Sequence, residues 1–392
     1  MKVALVHDYI KEYGGAERVL EALHEIWPSA PVYTSVYLPE FLGPHKARFK
    51  NWHIKTSWLQ FLPFKSRLIS LLRLVAPFVF KQFDFSQFDI VIVSATGAYS
   101  PNGKWKMENG KSPLHICYCH TPPRYLYGFA TARDWKNNLL FRILGEIANH
   151  FLRLIDFKSA QNVDFFIANS KNVAGRIKKF YRKDSTVIYP PVAQGPVGLR
   201  PRPTSSVALL PAGARRGSPA PATLRSYFLA GGRIARPKHI DLIIETFTKL
   251  NLPLVVFGRE FAGSNEIKNT NQNSKVQFLG EISDQEKMEL MKNARAFVFA
   301  AEDEDFGITP VEAMGVGTPV IAFASGGVLE TVIDGKTGIL YRFNDLNHLS
   351  EAIQRFGKMK FDRESIIKHA QKFSKERFKQ EIIKFVNSKI KK

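Results

Sequence analysis

Tyr227-Phe228-Leu229-Ala230-Gly231-Gly232-Arg233-Ile234-Ala235-Arg236-Pro237-Lys238 opens as a short apolar strand, breaks at a glycine pair and runs into a basic loop. Helical spacing follows from His239 to Leu250. The alternation then continues through the apolar runs Leu254 to Phe257, Val276 to Leu279, Ala296 to Phe299 and Pro319 to Ala322, with a second helix over Asp284 to Asn293. Short apolar runs separated by amphipathic helices predict βα units around a mostly parallel sheet. The same rhythm occupies the other half of the chain, in Val3 to Val6, Ile90 to Ser94, Leu114 to Cys119 and Phe165 to Ala168, with a helix from Ala16 to Ile26. Because Tyr227 restarts a pattern that is already complete upstream, the chain is expected to hold two Rossmann-like α/β domains.

A length of 392 residues agrees with two or three domains, and 45% hydrophobic with 23% charged residues is the composition of a folded protein with a sizeable core. Collagen, disulfide scaffolds and wholesale disorder are excluded. The 56 basic and 35 acidic side chains leave a net +21, which calls for an anionic neighbour such as phosphorylated ligands, an anionic membrane or nucleic acid. Cys117 and Cys119 share one face of a strand, a spacing suited to neither a disulfide nor zinc, so a reducing cytosol is expected. Val3-Ala4-Leu5-Val6 reads as a core strand rather than a signal peptide. The most apolar run, Leu68 to Phe80, contains Arg73 and falls short of the ~20 residues that span a bilayer.

Between the halves, residues 193–226 hold six Pro, six Ala, five Arg and four Gly but no Lys, Asp, Glu, Asn or Ile. Such a segment reads either as a disordered Pro-rich linker or as foreign sequence replacing the ordinary connector. The expected organisation is an N-terminal domain 1–192, this linker at 193–226, a C-terminal domain 227–372, and a basic helix at 373–392 that returns to the N-terminal domain.

Four clusters carry candidate chemistry. Gly14-Gly15 before the first helix aims backbone amides at an anion, or is a plain turn; there is no G-x-G-x-x-G, so the dinucleotide reading loses its support. Gly231-Gly232 with Arg233 and Lys238 stands at the carboxyl edge of a parallel sheet, where such folds bind ligands, and suits a diphosphate. Glu302-Asp303-Glu304-Asp305-Phe306-Gly307-Ile308-Thr309-Pro310-Val311-Glu312 is an acidic loop feeding a helix near Pro310. Here Thr309 and Glu312 have capping-box spacing, and Asp303 and Asp305 form a D-x-D pair able to hold a divalent metal on a phosphate. His120, at a strand's end ahead of Pro122-Pro123, is placed to hydrogen-bond a sugar or shuttle a proton, as a catalytic residue would, or is a structural histidine.

In this order and spacing the clusters, with Asn169-Ser170, Tyr189-Pro190-Pro191-Val192 and Ser325-Gly326-Gly327-Val328-Leu329-Glu330, resemble glycosyltransferase family 4, whose members are retaining enzymes of the GT-B fold. The resemblance covers nearly the whole chain outside 193–226. It implies two Rossmann-like domains with parallel sheets facing a central cleft, a nucleotide-sugar donor, and no metal or other cofactor. It assigns Arg233 and Lys238 to the diphosphate, Glu312 to the ribose, Glu304 and His120 to the donor sugar, and Gly15 to the phosphates from the other domain. Gly232, Phe306, Gly307, Ile308, Gly327 and Val328 complete the donor site, the amides of Gly327 and Val328 facing sugar or phosphate. Asp305 departs from the Gly that the family often carries before Phe306-Gly307. The finer likeness, in Arg124-Tyr125-Leu126-Tyr127 and the opening Gly-Gly-Ala-Glu-Arg-Val-Leu, is to bacterial O-antigen and polysaccharide mannosyltransferases, which favours GDP-mannose as donor.

From Phe41 to Phe83 there are eight Lys or Arg and no acidic residue, interleaved with Trp52, Trp58, Phe61, Phe64 and Phe78. That mixture suits an anionic membrane surface, with a glycan or lipid-linked acceptor, at the inner face of the cytoplasmic membrane. The plain alternative is a helical face packed on its domain. Two other functions fit parts of the pattern: a GT-B-like sugar-nucleotide epimerase, and a non-catalytic nucleotide- or nucleic-acid-binding protein. No nucleic-acid motif is present, so nucleic acid is not an expected partner.

Overall fold

The computed structural model describes residues 1–68, 72, 75–99, 101–103, 112–131, 139–193, 226–259 and 275–390. They fall into two units. The first holds the described residues up to Phe129, those from 139 to Pro191, and those from Lys375 onward; the second holds Ala130 and Thr131 with the described residues of Val192–Ser374. The expected disorder of 193–226 falls outside the described residues, apart from Ala193 and Ser226.

The first unit is built on a seven-stranded parallel sheet in the order β3-β2-β1-β4-β5-β6-β7. Its strands are β1 (Val3–His7), β2 (Val32–Thr34), β3 (Ile54–Thr56), β4 (Ile90–Ala95), β5 (Leu114–Cys119), β6 (Phe165–Ala168) and β7 (Ser185–Val187). The central strands are apolar along their length because helices cover both faces. One face packs Ala4, Val6, Val91, Val93, Cys117 and Cys119; the other packs Leu5, Ile90, Ile92, Ile116 and Tyr118 against Val19, Leu20 and Leu23 of α1 (Gly15–Ile26). Helices α2 (Leu139–Ala160) and α3 (Lys171–Tyr181) follow in the chain.

The second unit repeats the design with six parallel strands in the order β10-β9-β8-β11-β12-β13. They are β8 (Phe228–Gly231), β9 (Leu254–Phe257), β10 (Val276–Gly280), β11 (Phe297–Phe299), β12 (Val320–Phe323) and β13 (Gly338–Tyr341). Around them lie α4 (Ile240–Lys249), α5 (Asp284–Asn293), α6 (Ile308–Gly315), α7 (Leu346–Gly357) and α8 (Arg363–Ala370). Val192 bridges to Ser374 and donates to the Phe373 carbonyl at 2.9 Å, so Val192 belongs to this unit rather than the first, and the break expected after 372 falls after Ser374. Beyond it, α9 (Lys375–Ile390) buries Phe378, Ile382, Phe385 and Val386 in the core of the first unit.

In each sheet the strand order reverses once, between β1 and β4 and between β8 and β11. Ligands of open α/β sheets bind outside the carboxyl ends of the strands at such reversals. Every candidate cluster lies beyond a strand's carboxyl end.

Candidate active site

In the second unit, the adjacency of β8 and β11 brings the basic turn and the acidic loop together. The turn Arg236–Lys238 follows β8, and its Pro237 carbonyl accepts from the Glu302 amide at 2.9 Å. Lys238 forms an ion pair with Glu304, and its ammonium lies 5.1 Å from the centre of the Phe299 ring. Both partners are partly open to solvent. His239, left-handed at φ 47°, closes the turn with Nε2 3.4 Å from Glu302.

Glycines shape the same edge for two different reasons. A side chain on Gly231 would drive into the Phe257 carbonyl, and one on Gly258 into the Gly232 carbonyl, so both are required by the close passage of neighbouring loops. Gly232 adopts φ +118°, and among the described residues a Cβ there would meet only Thr309 Oγ1, at 3.9 Å. Room for a ligand is therefore found at Gly232 and not at Gly231.

Helix α6 starts at Ile308, two residues ahead of Pro310, with Gly307 at φ 89° as its N-cap. Thr309 is consequently inside the first turn, and the capping box with Glu312 does not form. Glu312 is buried and accepts from Lys287 of α5 at 2.8 Å, and Lys287 also lies 3.1 Å from Asp284. The Phe306 ring is buried edge-on against Phe373, with centroids 5.5 Å apart, which anchors the loop. The Gly327 amide donates to the Glu304 carbonyl at 2.8 Å, because Gly326 and Gly327 pass directly against the 304–306 backbone where a side chain has no space. Of the two amides expected to face sugar or phosphate, Gly327 is thus committed within the protein, and Val328 opens the short helical turn Val328–Thr331.

In the first unit, the carboxyl ends of β1, β4 and β5 stand side by side. His7 pairs in register with Ser94, and Ser94 with Tyr118. Buried His120 places Nε2 2.9 Å from Ser94 Oγ, whose other side is 3.1 Å from His7 Nδ1. Burial and the neighbouring His7 push the His120 pKa down to about 3, so the ring is neutral at ordinary pH. Gly14 caps α1, but its amide donates to Glu17 Oε2 at 2.8 Å. An anion at this helix start therefore meets a carboxylate at Gly14, which leaves Gly15 as the member of the pair with the assigned role.

Sequence reasoning assigned nothing to Asp8, Ser94 or Lys287. Asp8 is fully buried, and burial raises its pKa; its Oδ2 accepts from Thr96 Oγ1 at 2.7 Å and from the Ala98 and Tyr99 amides at 3.0 Å each. It thereby fixes the loop that leaves β4. A carboxylate ending an apolar strand was the available signal. Ser170 caps α3 by accepting from the Val173 amide at 3.1 Å, and Asn169 accepts from the Ser170 hydroxyl, so this pair shapes a helix start.

Two family models match the chain, Glycosyltransferase Family 4 over residues 13–193 and Glycosyl transferases group 1 over residues 216–373. The chain belongs to glycosyltransferase family 4. Among curated proteins, this glycosyltransferase is 26% identical to human alpha-1,3/1,6-mannosyltransferase ALG2, a match covering 76% of the chain and 73% of that protein. The Dictyostelium discoideum enzyme of the same name is also 26% identical, over 66% of the chain and 64% of its own length. Among solved structures, sucrose-phosphate synthase from Thermosynechococcus elongatus superposes with a TM-score of 0.67 at 17% identity, covering 100% of this glycosyltransferase and 99% of that chain. The lipopolysaccharide outer core galactosyltransferase WaaB gives 0.62 at 16% identity, covering 99% and 100%. At these identities the structural likeness concerns the fold, which is GT-B.

Proposed function

We propose that this glycosyltransferase moves a mannosyl group from GDP-mannose to a glycan or lipid-linked acceptor, with retention of anomeric configuration and without a metal. The observation that carries the reading is the meeting of Lys238 and Glu304 where the second sheet reverses its strand order. A cation for the leaving diphosphate stands beside a carboxylate for the sugar, with Arg233 on the same loop and open space at Gly232. Breaking the glycosidic bond leaves negative charge on the departing phosphate, and preplaced cations stabilise that charge without reorganising. The departing phosphate oxygen then accepts the acceptor's proton on the same face, so the reaction needs no pair of opposed carboxylates. Mannose is favoured because the ALG2 relatives are mannosyltransferases by name.

An anionic membrane surface is the proposed location, at its cytoplasmic face. Phe61 and Phe64 are 85% and 71% exposed, amid the basic stretch that holds no acidic residue. Helix α2 adds a second apolar face: Ile143, Leu144, Ile147, Phe151 and Leu154 point outward on one stripe while Asn149, Asp156 and Ser159 are buried. Among the described residues no helix is long and apolar enough to cross a membrane.

The deciding experiment is a thermal-shift panel of GDP, UDP and ADP sugars, followed by transfer assays with and without a lipid-linked glycan. Stabilisation by GDP-mannose and acceptor-dependent mannosyl transfer are expected. Sugar interconversion without acceptor would instead mark an epimerase.

A further inference from the structure

Four buried polar side chains stand in file beyond the first sheet's strand reversal, and the proposed reaction uses only the last. Glu17 Oε1 lies 3.6 Å from His7 Nε2, His7 Nδ1 lies 3.1 Å from Ser94 Oγ, and Ser94 Oγ lies 2.9 Å from His120 Nε2. The Ser94 hydroxyl has one proton, so it donates to one imidazole and accepts from the other. With both rings neutral, two proton arrangements satisfy it. In the first, His7 carries its proton on Nε2, toward Glu17; Ser94 donates to His7 Nδ1, and His120 donates to Ser94 from Nε2. In the second every donor is reversed, and the His7 Nε2 lone pair faces the carboxylate.

Electrostatics separates the two. An N–H dipole aimed at a buried carboxylate is attracted to it and a lone pair is repelled, with little solvent to screen either. Glu17 is held in place, because its other oxygen accepts from the Gly14 amide at 2.8 Å. His7 Nε2 is buried with no hydrogen-bond partner, so Glu17 is the group that biases it. Asp8, the other carboxylate near His7, directs Oδ2 to Thr96, Ala98 and Tyr99.

We infer that Glu17, His7 and Ser94 are positioning residues that fix His120 as the Nε2–H tautomer, so that its Nδ1 is presented as an acceptor for a donor-sugar hydroxyl. The inference rests on the reading of His120 as a sugar contact. Among the described residues His120 Nδ1 has no protein hydrogen-bond partner. A site built this way takes a hydroxyl and discriminates against a sugar that lacks it, whose absence leaves the nitrogen unpaired.

Ring-¹⁵N NMR of the full chain tests this without requiring activity, the His120 signals being identified by their loss in His120→Gln. The parent should show a proton on His120 Nε2 and none on Nδ1. Ser94→Ala should speed exchange of that proton by about tenfold, the worth of one hydrogen bond, and Ser94→Thr should restore it. Glu17→Lys, which turns a cation toward His7 Nε2, should move the His120 proton to Nδ1. A parent spectrum with the proton on Nδ1, as a doubly protonated His7 would impose, overturns the inference, as does exchange unaffected by Ser94→Ala. If Glu17→Lys does not fold, the Ser94 pair still decides. Parental transfer by His120→Gln would instead overturn the sugar contact and leave the tautomer result standing.

Discussion

Lys287 of α5 donates a 2.8 Å hydrogen bond to Glu312 of α6, so the carboxylate assigned to the ribose is already neutralised within the protein. Glu312 is almost wholly out of water, and an unpaired charge there is costly. Lys287→Met should therefore lower stability by about 3 kcal/mol. It should also weaken donor binding, since the carboxylate loses the partner that holds it in place for the ribose hydroxyls. Chemical denaturation with and without GDP checks both effects, and an unchanged midpoint would show that Glu312 draws its compensation elsewhere.

The pairing of Lys238 with Glu304 predicts opposite effects of the two substitutions on bare nucleotide. Lys238→Ala removes a charge-assisted contact worth about 1.5–3 kcal/mol and should weaken GDP binding by tens of fold. Glu304→Gln releases Lys238 and should leave GDP binding equal or tighter, while kcat falls by a larger factor than binding does, as expected for a contact made mainly in the transition state. Transfer should survive EDTA. Activity abolished by chelator and restored by manganese or magnesium would return the assignment to Asp303 and Asp305.

Acid stability should respond to His115 and His120, both held near pKa 3 by burial against an ordinary value of 6.5. Below pH 6.5 the unfolded chain binds protons that the folded chain refuses. Stability should thus fall as the pH drops from about 6.5 toward 3, by about 1.4 kcal/mol per pH unit for each histidine. Asp8 acts in the opposite sense, because its raised pKa lets the folded state take a proton before the unfolded one does. His120→Gln should flatten the slope by one proton, measured by denaturation at pH 7 and pH 5. An identical slope in the variant would count against the assignment.

Vesicle binding should depend on charge and on two separate apolar groups. The protein should sediment with anionic vesicles, lose that binding in high salt, and ignore neutral ones. Phe61→Ser with Phe64→Ser, and independently Ile147→Ser with Phe151→Ser, should each weaken binding several-fold without lowering the melting temperature. Equal partitioning to neutral vesicles would refute the electrostatic part.

What was legible in the sequence follows from how deeply each strand is buried. β1, β4, β5, β8, β9, β11 and β12 are covered on both faces, so they read as apolar runs, and the site loops hang from their ends. β3 and β7 are short edge strands, only partly buried, and carry no apolar run; β2 ends in the polar Thr34, and β13 opens on Gly338. Helix α6 starts two residues ahead of Pro310, after Gly307 takes a left-handed conformation that a Pro at the third helical position conceals. The file of Glu17, His7, Ser94 and His120 was illegible for a different reason. No local spacing joins residues from a helix, two strands and the position just after a third; only the order β1-β4-β5 makes them neighbours.

Helix α9 gives the first sheet a peculiar biosynthetic history. Its Phe378 stacks edge-on against Tyr118, with centroids 5.7 Å apart, and its Phe385 against Phe165 at 6.3 Å, while Lys375 and Lys379 ion-pair with Glu25. These contacts complete a core whose other members are encoded before Pro191. On the ribosome, the first sheet must wait with part of its apolar face open until the entire second unit has been translated. A nonsense codon anywhere in the second half would consequently damage both units, and the unfinished nascent chain offers chaperones a sticky surface for most of its synthesis.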